Sequence, residues 1–543
     1  MLNNLRHENG FASSAATVAV ALCSLQLLAW PVTAAGDWPQ WRGPLRNGSQ
    51  PESPQLADHW PSSGLVKLWD SEGIPSDDNG GFGSPVAVGG RVFASIVWHT
   101  DVPTETRGID ELVLRQLGYQ SVAGWPKETV EIMEKTRREL DPNLMGPAYE
   151  KFVEDWLAKN LDAKKRQTSA GYVRGRFNRR ADAIPLEVYD KLLTVSKRRF
   201  PNEAALVQWL DEQNFGDKLK KEILATVPPL LKVAEDVVIC LDLATGKTLW
   251  KFKAPGEVTG RMASSTPCVA DGRVYALGSL CCYAVDVNTG RPVWSVPLAV
   301  KGPASSPMVM DGVLVVNVGK LAAFDAATGK PLWNQPQAGG GNASPVAWKS
   351  GDKTVVICNG RNALAGVDLK SGEVLWTMPG GGDCTPAIAG DLLAIQTANA
   401  KVGILVGKLS ATSFTQLWNL PYDPLRSSSS PLVVEGNVYL MDDNIHWCFE
   451  LATGHQLWKE KVMSSSITSP VLADGKAFLL VSGGSRIVMI KPSPEKRIQL
   501  GQASVRALGV PSPAIADGKL LLRGRKGISC YSLPANTPAV ISP

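Results

Sequence analysis

One hydrophobic pattern recurs eight times along the chain. A Ser/Thr-Pro pair opens it, apolar and small residues alternate for three positions, a two-residue break follows, and a second apolar run begins. It reads SPVAVGGRVF from Ser84, TPCVADGRVY from Thr266, SPMVMDGVLV from Ser306 and SPVAWKSGDKTVV from Ser344. It returns as TPAIAGDLLA from Thr385, SPLVVEGNVY from Ser430, SPVLADGKAF from Ser469 and SPAIADGKLL from Ser512. Alternation with period two predicts strands. An Asp-Gly or Gly-Gly break supplies the positive φ that a two-residue hairpin needs. From Pro267 onward the prolines stand 38 to 45 residues apart, a spacing that points to a solenoid or a propeller.

A second line runs out of phase with the first. It reads DLATGKTLW at Asp242, DVNTGRPVW at Asp286, DAATGKPLW at Asp325, DLKSGEVLW at Asp368 and ELATGHQLW at Glu450. The pattern predicts a third strand ending at the acidic residue, a turn with Gly in the left-handed region, and a fourth strand carrying Trp. Trp250, Trp294, Trp333, Trp376 and Trp458 each stand four residues after the turn Gly, an even offset that keeps them on one strand face. Trp418 closes a drifted copy, SATSFTQLW. An indole there can wedge against the neighbouring unit, burying roughly 150–250 Å² and contributing on the order of a few kcal/mol per junction. Its N–H needs an acceptor, expected to be a backbone carbonyl next door. Four antiparallel strands per repeat make a β-propeller blade, and the expected fold is all-β, an eight-bladed propeller. The eighth copy runs out near Ser532 without an outer strand, and Leu65-Val66-Lys67-Leu68-Trp69 far upstream has the missing form. Pairing the two would close the ring and remove its open edges.

Residues 99–235 break the pattern. They are rich in Lys, Arg and Glu, and Tyr149, Phe152, Val153, Trp156 and Leu157 mark a helical face. Pro147 opens that segment, and Pro126, Pro185 and Pro201 open similar ones. Four to six helices are expected, inserted in blade one between Arg91–Trp98 and Val237–Asp242, either capping the channel mouth or packing sideways. Within them Lys164, Lys165, Arg166, Arg174, Arg176, Arg179 and Arg180 form a run with no acidic residue. It reads as a solvated mobile loop or as an anion-binding patch for acidic glycan or a membrane surface.

The net charge of +5 over 543 residues gives no global polyanion-binding character. Arg6, His7, the apolar Ala15–Trp30 and Thr33-Ala34-Ala35 read as a secretory signal; a membrane anchor is the alternative, and Leu22 before Cys23 argues against lipidation. The expected mature chain is exported to the periplasm or beyond, without a transmembrane segment, monomeric, and away from nucleic acid. The expected layout is a signal peptide at 1–35, a closing strand and the start of blade one at 36–98, the helical insert at 99–235, further blades at 236–535 and a tail at 536–543. Eight cysteines would remain after cleavage. Cys240 and Cys448 stand where other copies carry Ala284, Ala323 and Gly366, a tight slot in which Cys acts as a small apolar side chain. The state of Cys281-Cys282 is open.

The line A-x-D-x-x-T-G-x-x-x-W, as in Ala323 to Trp333, resembles the tryptophan-docking repeat of PQQ-like, quinoprotein-type β-propellers. The opening DWPQWRGPLRNG, Asp37 to Gly48, resembles the lead of secreted members. The resemblance spans 37–99 and 236–535, and implies Trp69, Trp250, Trp294, Trp333, Trp376, Trp418 and Trp458 as docking residues. The family includes quinoprotein alcohol dehydrogenases and non-enzymatic relatives such as the assembly lipoprotein BamB. A PQQ enzyme needs a stacking platform, a catalytic carboxylate and usually Ca²⁺ on hard oxygen ligands. No such cluster is legible. The repeat Asp residues serve turns, as does Asp442-Asp443-Asn444. His59, His99, His446 and His455 lack metal-ligand spacing, and no G-x-S-x-G, P-loop or Cys-x-x-Cys occurs. The function expected is a binding or scaffold module for protein or glycan partners at the cell envelope, without a cofactor or catalytic residue. The alternative is a quinoprotein oxidoreductase using PQQ and Ca²⁺ on an alcohol or sugar.

Overall fold

The computed structural model describes residues 36–75, 81–259, 264–298, 305–422, 429–442, 445–462 and 468–535. All of them belong to the compact unit Thr33–Pro543. The signal-like segment 1–35, the tail 536–543 and Asp443-Asn444 lie outside the described residues.

The described residues are mostly β, arranged as a propeller-like series of antiparallel sheets, named here one to eight in the order of the Ser/Thr-Pro repeats that open them. Sheet three shows the plan. Met308–Met310, Val313–Asn317, Leu321–Asp325 and Pro331–Gln335 pair in sequence order. The Asp311-Gly312 break has φ of 52° and 74°, the doubly left-handed hairpin expected of its residues. At the acidic turn Asp325 Oδ1 accepts from Thr328 N at 2.8 Å and from its hydroxyl at 2.6 Å, so the carboxylate reaches three residues on. Those bonds favour the charged form and hold the Asp325 carboxyl below its ordinary range, with the Thr328 hydroxyl first among the causes.

The small slot faces the Trp. Ala323 pairs with Trp333, Gly366 with Trp376, Cys240 with Trp250, Cys448 with Trp458 and Cys530 with Trp69, and the register slips just beyond each. A Cβ at Gly366 would stand 2.2 Å from the Trp376 ring. All eight cysteines from Cys240 onward are free thiols. Adjacent Cys281 and Cys282 point to opposite faces of one strand.

Two sheets take a strand from far upstream. Sheet eight combines Ala514–Ala516, Lys519–Arg523 and Ile528–Ser532 with Val66–Asp70, and Val66 pairs with Ser532. Sheet seven takes Ser49–Gln50 as a parallel fifth strand beside Val471–Ala473.

Sheet one departs from its neighbours. Its second and third strands, Arg91–Pro103 and Leu230–Asp242, each run 13 residues, pairing through Pro103 and Leu230. The pattern break at 99–235 therefore begins as a continued hairpin, because β pairing of Asp101, Val102 and Leu231 overrides their charged surroundings. Beyond it lie seven helices: α1 (Glu111–Gln116), α2 (Lys127–Glu139), α3 (Gly146–Asn160), α4 (Ala163–Arg179), α5 (Leu186–Thr194), α6 (Glu203–Glu212) and α7 (Asp217–Thr226). Four to six were expected. The six residues of α1 are too few to show a period, and Asn214, at φ +57°, breaks one helical pattern into α6 and α7. The basic run is α4 as far as Arg179, with Arg180 opening the 3₁₀ turn after it, and not a loop. Met133, Trp156, Val173 and Phe177 form one buried cluster, and Leu114, Leu192, Phe200 and Leu210 form another.

Candidate functional site

The Ser and Thr residues that open the eight repeats meet in one hydrogen-bonded cycle. Ser84 N donates to Thr266 Oγ1, Thr266 N to Ser306 Oγ, Ser306 N to Ser344 Oγ and Ser344 N to Thr385 Oγ1, at 2.9–3.3 Å. Thr385 N donates to Ser430 Oγ, Ser430 N to Ser469 Oγ, Ser469 N to Ser512 Oγ, and Ser512 N returns to Ser84 Oγ at 2.9 Å. A strand start needs a partner for an N–H that no ladder satisfies. A short hydroxyl on the adjacent sheet supplies it, and the following Pro brings no N–H of its own.

The lead Asp37–Gln50 touches successive sheets beside this cycle. Trp38 bridges Ala87, Val269 N donates to Pro39 O, and Arg46 donates to Ser306 O and Pro307 O. Arg42 donates to Thr385 O at 3.4 Å and to Pro431 O at 2.5 Å, while Gln50 Nε2 donates to Ile515 O. Both arginines are buried, at 1% and 3% exposure, with carbonyls as partners. Burial pushes the Arg42 guanidinium down to about 9 and that of Arg46 to about 10, which leaves both charged at neutral pH. Sequence reading took this lead as a family mark only. Two arginines and two tryptophans in a Gly-Pro-rich segment were the available signal.

Above the lead lies an axial cavity of about 140 Å³. Trp41, Ser306, Ser344, Thr385 and Ser469 line it together with Phe82, Asn342, Asp383 and Pro511. Trp41 Nε1 donates to Thr385 Oγ1 at 3.1 Å, and Asn342 Nδ2 donates to Asp383 Oδ1 at 3.0 Å at the rim. Partial desolvation raises the Asp383 carboxyl above its ordinary range. The described lining holds no cationic side chain.

The predicted docking tryptophans lie at sheet junctions, away from this cavity. Trp69 Nε1 donates to Leu243 O at 2.9 Å, Trp250 to Val287 O at 3.3 Å, Trp294 to Ala326 O at 3.0 Å and Trp333 to Leu369 O at 2.8 Å. Trp418 donates to Leu451 O at 2.8 Å and Trp458 to Ser493 O at 2.9 Å. Each acceptor belongs to the next sheet's turn. A Cβ at Gly329 would stand 2.8 Å from the Trp294 ring, so that Gly serves both a φ of +73° and the seat of the indole. Trp376 differs. The next turn has drifted, its indole stacks on Phe414 at 5.2 Å, and its buried N–H finds no acceptor.

Sheet seven carries Gly501 where the others carry Trp, opposite Met489. Trp60 from the upstream segment lies over that Gly and stacks on Phe478 at 6.4 Å. Tyr275 and Tyr439 hold the equivalent place against Trp294 and Trp458. The sequence signal was the Gly itself, standing in a Trp position.

The basic run is largely engaged inside the helical region. Arg174 pairs with Glu150 and Glu154, Arg176 with Glu134 at 2.6 Å and Arg179 with Glu222 at 2.6 Å, while Arg180 donates to Leu144 O at 2.8 Å. Lys165 pairs with Asp162 at 3.6 Å, and Lys164 and Arg166 lie in the first turn of α4. The acidic partners of the arginines come from α2, α3 and α7, outside the run, so it looked uncompensated when read alone.

His446 is 1% exposed with both ring nitrogens unpartnered, and burial lowers its pKa to about 3. Of the other histidines, His99 Nε2 accepts from Thr259 N. No group of three His, Cys, Asp or Glu among the described residues can hold a metal ion. No described helix is long and apolar enough to cross a membrane.

Residues 220–407 match the family described as outer membrane protein assembly factor BamB. Tetrathionate hydrolase of Acidithiobacillus ferrooxidans is 25% identical over 223 residues, 39% of this chain and 41% of that protein. The chain thus spans about two fifths of the length of the curated relative it matches. Among solved structures, BamB from Moraxella catarrhalis has a TM-score of 0.45 at 15% identity, covering 56% of this chain and 90% of that one. Quinohemoprotein alcohol dehydrogenase from Comamonas testosteroni has a TM-score of 0.42 at 14% identity, covering 58% and 74%.

Proposed function

Because this chain is a PQQ-like β-propeller repeat protein, we propose that it is an eight-bladed binding or scaffold propeller for protein or glycan partners at the cell envelope, closed by its own N-terminal segment and carrying residues 104–229 as a helical recognition module. The observation that carries the reading is the filled axis. Arg42 and Arg46 hold the lead across the ring, and the space above it is small, with Asp383 the charged side chain of its described lining.

That space does not fit PQQ. The cofactor is a rigid tricycle with three carboxylates. The cavity, at about 140 Å³, is below the roughly 300–1,000 Å³ of sites that bury drug-sized ligands. Its described lining sets a carboxylate, and no cation, against that charge. Trp41 would give ring surface but nothing to anchor the anion. A tetrathionate dianion meets the same obstacle.

The test uses two forms of the exported protein. One is the full chain. In the other, Asn-Gly replaces residues 104–229, joining the paired strand ends Pro103 and Leu230. Crosslinking in envelope extracts is expected to join a defined partner to the full chain and not to the short one, with both melting cooperatively. Stoichiometric binding of PQQ with Ca²⁺, accompanied by dye-linked alcohol or sugar oxidation, would contradict the reading.

A further inference from the structure

The hydroxyl cycle has chemistry that closure alone does not use. Each of the eight side-chain oxygens accepts a backbone N–H, and among the described residues none of the eight hydroxyl protons is donated onward. A hydroxyl can donate one hydrogen bond while it accepts. Four of these groups, on Ser306, Ser344, Thr385 and Ser469, line the axial cavity. The floor is Trp41, fixed by its own bond to Thr385. The rim is Asn342 bonded to Asp383, a planar amide and a carboxylate with lone pairs left to accept.

A ligand for this lining must accept from hydroxyls low in the cavity, donate to a carboxylate and an amide oxygen at the rim, and lay an apolar surface on an indole. A carbon ring bearing hydroxyls does all three, since each hydroxyl both donates and accepts and the ring C–H groups are apolar. Simple anions satisfy only the first requirement and meet Asp383. Aliphatic chains satisfy only the last, and would bury the hydroxyls unpaired at a cost of about 1–3 kcal/mol each. The volume of about 140 Å³ admits one such ring, not a chain of them.

We propose that the axial cavity binds a single neutral pyranose unit, with Trp41 as platform, Asp383 and Asn342 gripping its hydroxyls at the rim, and the Ser/Thr cycle donating from below. This deepens the glycan side of the binding reading above by naming a site on the propeller axis, apart from the helices.

The experiment titrates the full-length protein with glucose, galactose and the matching methyl glycosides and trisaccharides, followed by calorimetry and by saturation-transfer NMR. Saturable binding of at least one sugar is expected, at millimolar Kd or tighter, with transfer strongest to protons of one ring. Equal affinity for a monosaccharide and its trisaccharide marks a free sugar as the ligand. Tighter trisaccharide binding marks a chain end. D383N and N342A, at the rim and outside the cycle, are expected to weaken binding at least tenfold with unchanged melting temperature. Trp41→Phe, which keeps a ring, is expected to weaken it less than tenfold. Absence of saturable binding at about 10 mM, ten times a millimolar Kd, would overturn the proposal. So would binding that D383N and N342A both leave unchanged. The form with Asn-Gly in place of 104–229 separates the two readings. It retains the cavity, so sugar binding survives there even if the envelope partner proves absent.

Discussion

At the scale of single residues, Trp333 and Trp376 make a controlled pair. Both stand in the same slot of successive sheets, but Trp333 donates to Leu369 O and Trp376 donates to nothing. Trp333→Phe is expected to cost about 1–3 kcal/mol, part packing and part a carbonyl left without its donor. Trp376→Phe is expected to cost less than about 1 kcal/mol, because it also removes an unpaired buried N–H. Urea unfolding of the two variants checks the difference. His446 gives a pH dependence of known sign. Its folded pKa of about 3 lies below the ordinary 6.5, so the unfolded chain binds the extra proton between those values. The contribution is intact above pH 6.5 and declines as pH falls toward 3, reaching a loss of about 2 kcal/mol at pH 5. His446→Phe is expected to flatten that part of the pH–stability curve. An unflattened curve would show that other groups carry the acid sensitivity. The sequence placed His446 just after the Asp442-Asp443-Asn444 turn and without metal-ligand spacing. It could not show the burial, nor the nearby charge of Arg497, which lowers the pKa further.

At the scale of elements, legibility follows sequence distance. The hairpin breaks and acidic turns were readable because Asp, Thr and Gly act within four residues of one another, and Asp325 with Thr328 is a local bond repeated in each clear copy. The lead was not readable in the same way. Arg42 finds its carbonyls 343 and 389 residues away, a separation that leaves no periodic trace. Trp60 over Gly501 is the same case. Trp60→Ala is expected to cost about 2 kcal/mol, below the 3–5 kcal/mol of a wholly buried Trp. Faster amide exchange is expected across Ile498–Ser504 and not across Pro331–Gln335. Uniform change in both strands would contradict the local role given to Trp60. The helical run of arginines was misleading for a related reason: Glu134, Glu150 and Glu222 neutralise it from other helices.

At the scale of the whole ring, eight short hydroxyls and one upstream strand carry the closure. The hydroxyl cycle links every sheet to the next, and Val66–Asp70, far upstream of the repeats' end, pairs into the last sheet. The axial cavity exists because the cycle and the lead define its wall and floor, so site and closure depend on the same residues. The most direct test is a crosslink across the seam. Val66 and Ser532 are register partners on antiparallel strands, and such pairs hold their Cβ atoms about 4.5–5.5 Å apart, near the separation a disulfide tolerates. In a V66C/S532C chain, mild oxidation is expected to form an intramolecular disulfide, seen as a faster-migrating monomer band that reduction reverses. A chain that stays uncrosslinked, or that links only to a second copy, would show that the N-terminal strand does not close its own ring.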